Sequence, residues 1–427
     1  MTAEKETAEV VSAEATGQAA GVAASAAVVT ARDVLPVDQT GGTFVGRVWD
    51  PARGVPVPVA LRGAQVWDAS ELAGTSASLL EREGLALDLA GLFETPATWS
   101  VDDVRLPQEL DAGDDPARPS ALTLLAPIDL QVIKACGVTF AGSMIERLIE
   151  ERAGGDPGSA QRIREEMTQA VGVDLAAIVP GSPEAAAVKE QLLSLGWWSQ
   201  YLEVGLGPDP EVFTKGPLLS AVGSGDAIGI PAFSAWNNPE PELTLVVTAD
   251  GRIAGVTLGN DVNLRDVEGR SALLLGMAKD NNRSTALGPV IRVFDESFTL
   301  DDARSVEIEL RVEGASEADG GDGFVLDGLN TVGALSRTFE RLVEATLDDH
   351  HQYPDGCVIL TGTLFAPTLD RDAPGEGFTH KHGDVVTIAN PLVGRLVNTV
   401  GPTEQLAPWT YGVRALVADL AEAGLRA

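Results

Sequence analysis

Residues 237–266 read NNPEPELTLVVTADGRIAGVTLGNDVNLRD, and this stretch decides how the chain folds around its chemistry. Pro239 and Pro241 bar a helix and resist ladder pairing, so Glu240 and Glu242 lie in an extended segment. Side chains two apart in such a segment leave the same face, roughly 6–7 Å from each other along the strand. The apolar run LTLVV (243–247) leads to Asp250–Gly251, a strong hairpin signal, and an apolar return strand follows over 253–258. Glu242 lies eight residues before Asp250 and Asp261 ten after Gly251, so the reversal brings Asp261 back beside the glutamate pair. Three converging carboxylates repel unless solvent or a cation intervenes. Three hard oxygen ligands with room for water and substrate are how proteins hold a catalytic Mg²⁺. A strand end with solvated acids reads the same way in a chain carrying 63 Asp and Glu.

The hairpin sits in a chain of 427 residues, 44% of them apolar. At about 100–200 residues per domain this predicts about two or three domains. Lys and Arg number 30 against the 63 acids, for a formal net charge of −33. That balance excludes a general nucleic-acid binder, which needs a basic footprint, and adsorption to an anionic membrane face. Divalent cations are its natural guests. Cys136 and Cys357 cannot make a disulfide framework. No run reaches the roughly 18–20 apolar residues of a membrane span, and the Ala-rich start has neither a basic segment nor a strongly apolar one. A reduced, cytoplasmic protein is expected.

Working outward, residues 1–35 read as an acidic, Ala-rich disordered tail. Residues 36–127 carry short apolar runs broken by Gly, Pro and Asp (FVGRVWD, VPVALRGAQVWD, LALDLAGLF, PSALTLLAP), the pattern of a small β-rich domain. Residues 128–427 form the larger unit, with helices predicted over 143–152, 159–170 and 183–195 in an insert near 143–197. In SVEIELRVEG (305–314), Val306, Ile308, Leu310 and Val312 alternate with Glu307, Glu309 and Arg311, a half-buried strand. Strands are likewise predicted over 243–248, 253–258, 357–360, 385–388 and 392–400, with helices near 336–347 and 411–425. The fold class is α+β, strand-dominated.

Several chemistries are missing. There is no phosphate loop, no dinucleotide glycine motif, no G-x-S-x-G elbow and no C-x-x-C. ADGGDG (318–323) lacks the ligand spacing of a calcium loop and reads as a turn. Only six of the 30 basic residues are lysine, which draws attention to Lys279, eighteen residues past Asp261. An ammonium beside a bound keto acid holds enolate charge or shuttles a proton; a solvated surface lysine is the bland reading. Lys215 reads as the partner of a neighbouring acid. His380 and His382 with His351 would make an incomplete zinc set, and HKHGD reads more simply as a turn.

Six blocks carry a resemblance: GVTFAGSMIERLIEERAGGDPG (137–158), WWSQYLEVGLGPDPEVFTKGP (197–217), WNNPEPELTLVV (236–247), LGNDVNLRDVEGRSALLLGMAKDNN (258–282), QYPDGCVILTGTLFAPTLDRDAPGEGFTHKHGD (352–384) and PWTYGVRAL (408–416). Together they make residues from about 124 to the C-terminus similar to the fumarylacetoacetate hydrolase superfamily. Within it, the chain most resembles the bacterial 2-keto-3-deoxy-pentonate dehydratases, those acting on 2-keto-3-deoxy-D-xylonate above all. Glu-x-Glu with an Asp nineteen residues later (261 − 242) is the superfamily's metal signature. The resemblance implies a fumarylacetoacetase-type C-terminal domain of curved mixed β-sheets around a metal site, with a smaller N-terminal β-rich domain. It implies Mg²⁺ (or Mn²⁺) on Glu240, Glu242 and Asp261, with Lys279 facing the substrate and Glu211 near the metal. It places Ser143 and Glu146 over the pocket and Thr363 at the substrate's carboxylate end. A homodimer or homotetramer acting on a small 2-keto-3-deoxy sugar acid is implied as well.

From these parts the expected reaction is loss of water from 2-keto-3-deoxy-D-xylonate to give 2-ketoglutarate semialdehyde. Lys279 or Glu211 is the base at C3 and Glu146 the proton donor. The rival is hydrolysis of a carbon–carbon bond in an acylpyruvate or fumarylacetoacetate; that branch of the superfamily uses a His–Glu pair, and no histidine stands near Ser143. A protein that only binds divalent ions or sugar acids is a further alternative, though a binder needs no proton-transfer groups.

Overall fold

The structure, a computed structural model, describes residues 29–37, 41–111, 113–154, 156, 159, 162–163, 178–317, 320–365, 367 and 369–426. Its strands are β1 Phe44–Asp50, β2 Val55–Arg62, β3 Gln65–Asp68, β4 Trp99–Ser100, β5 Thr123–Leu124, β6 Val132–Gly137, β7 Glu211–Gly216, β8 Ala227–Ile230 and β9 Asn237–Asn238. In the second half come β10 Pro241–Val247, β11 Ile253–Asp261, β12 Asn263–Leu264, β13 Thr285–Val293, β14 Glu307–Glu313, β15 Val325–Thr331, β16 Cys357–Leu360, β17 Val385–Asn390 and β18 Gly394–Pro402.

The predicted hairpin is β10–β11, antiparallel, with Glu242 opposite Gly259 and Pro241 opposite Asn260. It occupies the middle of an 11-stranded sheet ordered β4-β3-β2-β1-β13-β11-β10-β16-β6-β7, with β5 paired to β1. A second sheet, β15-β14-β17-β18-β8, packs against it. Leu243, Leu245, Val256 and Leu258 of the hairpin share a core with Ile308, Leu310, Val386, Ile388 and Leu396 of that second sheet. On its other face the hairpin's Val246 and Ala254 join Leu79, Leu85 and Leu89. A strand pair covered on both faces reads as a continuous apolar run, which is why LTLVV does not alternate. β14, by contrast, buries only Ile308, Leu310 and Val312, as its alternation predicts. The fold is thus strand-dominated α+β with mixed pairing, since β16 runs parallel to β6 and β18 parallel to β8.

Segment 36–127 supplies β1–β5, and β1 pairs with β13 (Val45 opposite Ile291), so these strands continue the large sheet rather than forming one of their own. LALDLAGLF, read as part of the strand pattern, is instead the helix Leu85–Phe93. Its buried residues are Leu85 and Leu89, four apart, while Leu87 is exposed: a helical stripe, too short to be distinguished by periodicity in the sequence. Residues 1–28 of the expected tail lie outside the described residues. The turn Ala31–Val34 is helical, capped by Asp33 accepting from the Thr30 backbone N–H at 2.8 Å, and it buries Val34.

In the insert, the helices Ala141–Ala153 and Pro183–Ser194 match expectation, and Pro183 occupies a first helical turn behind the Ser182 cap. Most of the helix expected over 159–170 lies outside the described residues. A helix not predicted, Gln200–Leu206, is capped by Ser199. These helices bury Met144, Leu148, Ile149, Leu192, Leu202 and Leu206 against one another and against Trp236, just ahead of the carboxylate segment. The predicted helices near the C-terminal half are Phe339–Thr346 and Val413–Glu422. Among the described residues no helix is long and apolar enough to cross a membrane.

Candidate active site

The hairpin delivers what its spacing predicts. Asp261 closes β11 and donates its backbone N–H to the Glu240 carbonyl at 3.1 Å, which fixes the two residues side by side. Glu240, Glu242 and Asp261 are all buried, and each offers one carboxylate oxygen within 4.8 Å of the others'. Among the described residues this is the only group of three or more His, Cys, Asp or Glu side chains placed to hold a metal ion. His351 pairs with Asp348 at the surface and His380 is buried beside Asp384, so no zinc set assembles among the described residues.

Burial of three acids demands compensation. Lys279 supplies it at the end of the helix Leu275–Lys279, where its Nζ donates to Glu240 Oε2 at 2.6 Å and to Asp261 Oδ2 at 2.9 Å. It is no solvated surface lysine. Burial works to discharge it, but Asp261 and Glu240 outweigh burial and hold the ammonium charged. Lys215, on β7, is also fully buried and pairs with Asp261 Oδ1 at 3.1 Å. Its ammonium also donates to the Lys279 carbonyl, to Ser284 Oγ at 3.2 Å and to the Val262 carbonyl at 3.3 Å. Lys215 therefore fixes Asp261 and the backbone of Lys279 relative to each other, more than the simple acid partner read from sequence.

Glu242 is treated differently. Its Oε2 accepts from the Gly362 backbone N–H at 2.6 Å. Gly362 has φ +96, and a Cβ there would meet Thr139 Oγ1 at 1.9 Å, so only glycine turns that N–H onto the carboxylate. Burial, then the charges of Asp261 and Glu240, push the Glu242 carboxyl well above the usual range. Asp261 moves the other way: burial raises it, but Lys279 and Lys215 together bring it below the ordinary value. A site holding one carboxylate without a cation of its own, next to two that have theirs, has the donor set for a hard divalent ion.

Glu211 opens β7 opposite Gly137, and a Cβ on Gly137 would lie 2.1 Å from Glu211 Oε2. The missing side chain is what makes room for this carboxylate. Burial first, then the charge of Glu268, push Glu211 up to about 7. It faces the same group of charges, with Arg147, Lys279 and Glu240 all acting on it. Thr363 is buried, but its hydroxyl donates to the Phe365 carbonyl at 3.0 Å within its own loop, and no contact with the three carboxylates accompanies it. The side chains of Ser143 and Glu146 lie outside the described residues.

Two members of the cluster escaped the sequence reading. Arg147, in the helix Ala141–Ala153, reaches Glu240 Oε1 through one terminal nitrogen and Glu268 Oε2 through the other, each at 2.6 Å. Glu268 ends the short helix Arg265–Glu268 and is itself buried. Nothing local marks either residue, because the contact joins positions 93 residues apart.

Residues 199–401 match the family described as the fumarylacetoacetate (FAA) hydrolase C-terminal. The chain is 32% identical over 200 residues to a probable 2-keto-3-deoxyxylonate dehydratase of Haloferax volcanii, a match covering 47% of this chain and 63% of that protein. It is also 32% identical over 191 residues to the 2-dehydro-3-deoxy-D-arabinonate dehydratase of Saccharolobus solfataricus, covering 45% and 58%. The chain thus spans about three fifths of the length of the curated relatives it matches. In fold it is similar to the apo form of a 2-keto-3-deoxy-D-arabinonate dehydratase, with a TM-score of 0.54 and 22% identity over 84% of this chain and 99% of that one. A structure of such an enzyme complexed with magnesium and 2,5-dioxopentanoate aligns equally well at 21% identity, with the same coverage.

Proposed function

We propose that this chain is a Mg²⁺-dependent 2-keto-3-deoxy-pentonate dehydratase of the cytoplasm, working as a homo-oligomer and converting 2-keto-3-deoxy-D-xylonate to 2-ketoglutarate semialdehyde. The observation that carries this reading is the buried triad Glu240, Glu242 and Asp261 with the Lys279 ammonium set between two of its members. The dehydratase names of its relatives narrow the substrate class. Bound there, the divalent cation would supply a Lewis acid that stabilises enolate charge and acidifies the hydrogens at C3.

The side chains then have distinct tasks. Lys279, held charged, donates toward the charge developing on the keto oxygen. Glu211, titrating near 7, takes one C3 proton, a pKa matched to that work at neutral pH. Of the two candidates for the base, this pKa favours Glu211. Glu146 gives a proton to the C4 hydroxyl as it departs, so the lost C3 proton and hydroxyl balance as water. A proton then leaves C5 and one is taken up at C3, moving the double bond to C4–C5; this enol gains a proton at C4 as its hydroxyl proton leaves, giving the aldehyde at C5. Thr363 binds the carboxylate end of the substrate, and Ser143 binds it from over the pocket.

The test is an assay of the purified protein with 2-keto-3-deoxy-D-xylonate, in Mg²⁺ and in EDTA, with a coupled dehydrogenase reporting the semialdehyde. Product that requires Mg²⁺ and disappears in Glu242→Gln supports the reading. Pyruvate released from an acylpyruvate, with no semialdehyde, would assign the chain to carbon–carbon hydrolysis instead.

A further inference from the structure

Among the described cations of the cluster, Arg147 comes from the helical insert, on Ala141–Ala153, while Lys215 lies on β7 and Lys279 ends the short helix Leu275–Lys279. Lys215 is fully buried, with Asp261, Ser284 and two carbonyls around its ammonium, and Lys279 is committed to Glu240 and Asp261. Arg147 comes from the helix Ala141–Ala153, keeps its side chain 13% exposed, and divides its fork between two carboxylates, one arm to each. The arm on Glu240 occupies Oε1, while Lys279 occupies Oε2, so both oxygens of this candidate metal ligand already face a positive charge. A divalent cation arriving at Glu240 adds a third, and like charges that close disfavour one another. Lys279 is tied a second time to Asp261 and stays. Arg147 is tied as well to Glu268, which stands outside the triad.

We infer that Arg147 exchanges Glu240 for the substrate: when the cation is bound, the arm on Glu268 remains as an anchor and the freed arm grips the carboxylate of the 2-keto acid. A planar guanidinium suits this, because its donors match a carboxylate in geometry and it stays charged throughout. The exchange couples substrate binding to the helix Ala141–Ala153, since Arg147 ties that helix to Glu240 and Glu268. Met144, Leu148 and Ile149 of the same helix are fully buried in its own layer, so the arginine is carried on a packed support.

The inference rests on the function proposed above, and the experiment separates the two. Mn²⁺ binding is followed by electron paramagnetic resonance, and binding of pyruvate to the Mn²⁺-loaded protein by calorimetry, with pyruvamide as the uncharged control. For Arg147→Met the expected result is Mn²⁺ affinity equal to or tighter than wild type, pyruvate affinity reduced at least ~10-fold, and pyruvamide affinity unchanged. Arg147→Lys, which keeps the charge but loses the fork, falls between the two. If Arg147→Met binds pyruvate as wild type does, or loses pyruvate and pyruvamide equally, the inference is wrong while the proposed function stands. If Arg147→Met fails to fold, Arg147→Lys decides: wild-type affinity for pyruvate overturns the exchange. A wild-type protein that binds neither Mn²⁺ nor pyruvate overturns the proposed function and this inference with it.

Discussion

Ahead of β17, Arg371 lays its guanidinium on Asp384, with contacts of 2.6 and 2.8 Å, and turns its remaining donors to Asp322 and the Thr379 carbonyl. At the mouth of β10–β11, three carboxylates meet two ammonium groups and one arm of a distant arginine. Arg371 and Asp384 are buried like the hairpin cluster, with Asp322 at the surface, yet the two clusters are finished differently. The Arg371 cluster is closed in charge: Asp384 and Asp322 both face Arg371, and Asp322 takes Lys381 Nζ at 3.0 Å as well. Its guanidinium is held fully charged, with burial opposing and Asp384 and Asp322 prevailing, while hydrogen bonds from Arg371 take the Asp322 carboxyl far below its usual range. The hairpin cluster is left unfinished at Glu242, whose one hydrogen-bond partner among the described residues is a backbone N–H. A fork filled by carboxylates holds a loop; a carboxylate left without a cation receives one.

The largest effect that would break this contrast is in activity. Glu242→Gln keeps the side chain's shape and removes a negative oxygen from the triad. We expect turnover of the keto acid to fall by roughly 10²–10³-fold or more. Mg²⁺ should raise the melting temperature of the wild type by binding only the folded state, and in the variant that rise should vanish. Thermal melts with and without Mg²⁺ check this independently of the substrate. A variant that still gains stability from Mg²⁺ would mean the open carboxylate is not where the cation goes.

Next comes the closed cluster. Arg371→Met strands Asp384, which is buried, and partly strands Asp322. Removing one partner of a buried pair costs about 3–5 kcal/mol, read from urea unfolding. The Mn²⁺ affinity of the folded fraction should not move. If it does, the two clusters are coupled and the contrast fails.

How far the sequence went differs between the regions for the same reason. The hairpin was legible because its information is local: period-two spacing, two prolines and an Asp-Gly reversal place Glu240, Glu242 and Asp261 within one 22-residue stretch (240–261). Lys279 was legible chiefly through resemblance, since no spacing rule carries it from its helix to Glu240. Arg147, Glu268 and the full role of Lys215 were not legible, because their contacts are set by how separate layers dock. LALDLAGLF failed for a smaller reason, a nine-residue run whose stripe of Leu85 and Leu89 also fits a short strand.

Glu211 gives a third, smaller effect within the hairpin cluster. Its folded pKa of about 7 lies above the ordinary value of 4.5. Between those two pH values the folded protein holds a proton that the unfolded chain has lost, so stability falls as pH rises from about 4.5 to about 7 and changes no further above. The loss is on the order of 3 kcal/mol at most. Glu211→Gln should flatten this limb in metal-free protein unfolded by urea at a series of pH values. An unchanged limb would assign it to other groups.

The smallest effect tests whether burial, rather than distance, separates the clusters from the rest of the molecule. Arg341 and Glu344 pair at 2.7 Å on the helix Phe339–Thr346, as short as the contacts of Arg371, but their side chains are 60% and 61% exposed. Water screens such a pair, and the entropy of fixing two long side chains offsets most of the attraction. Arg341→Ala should therefore cost no more than about 0.5 kcal/mol, against several for Arg371→Met at nearly the same separation. A cost above ~1.5 kcal/mol would be beyond what an exposed pair supplies. It would mean that contact distance alone sets the strength of these pairs, and the distinction between a closed buried cluster and an open one would lose its physical basis.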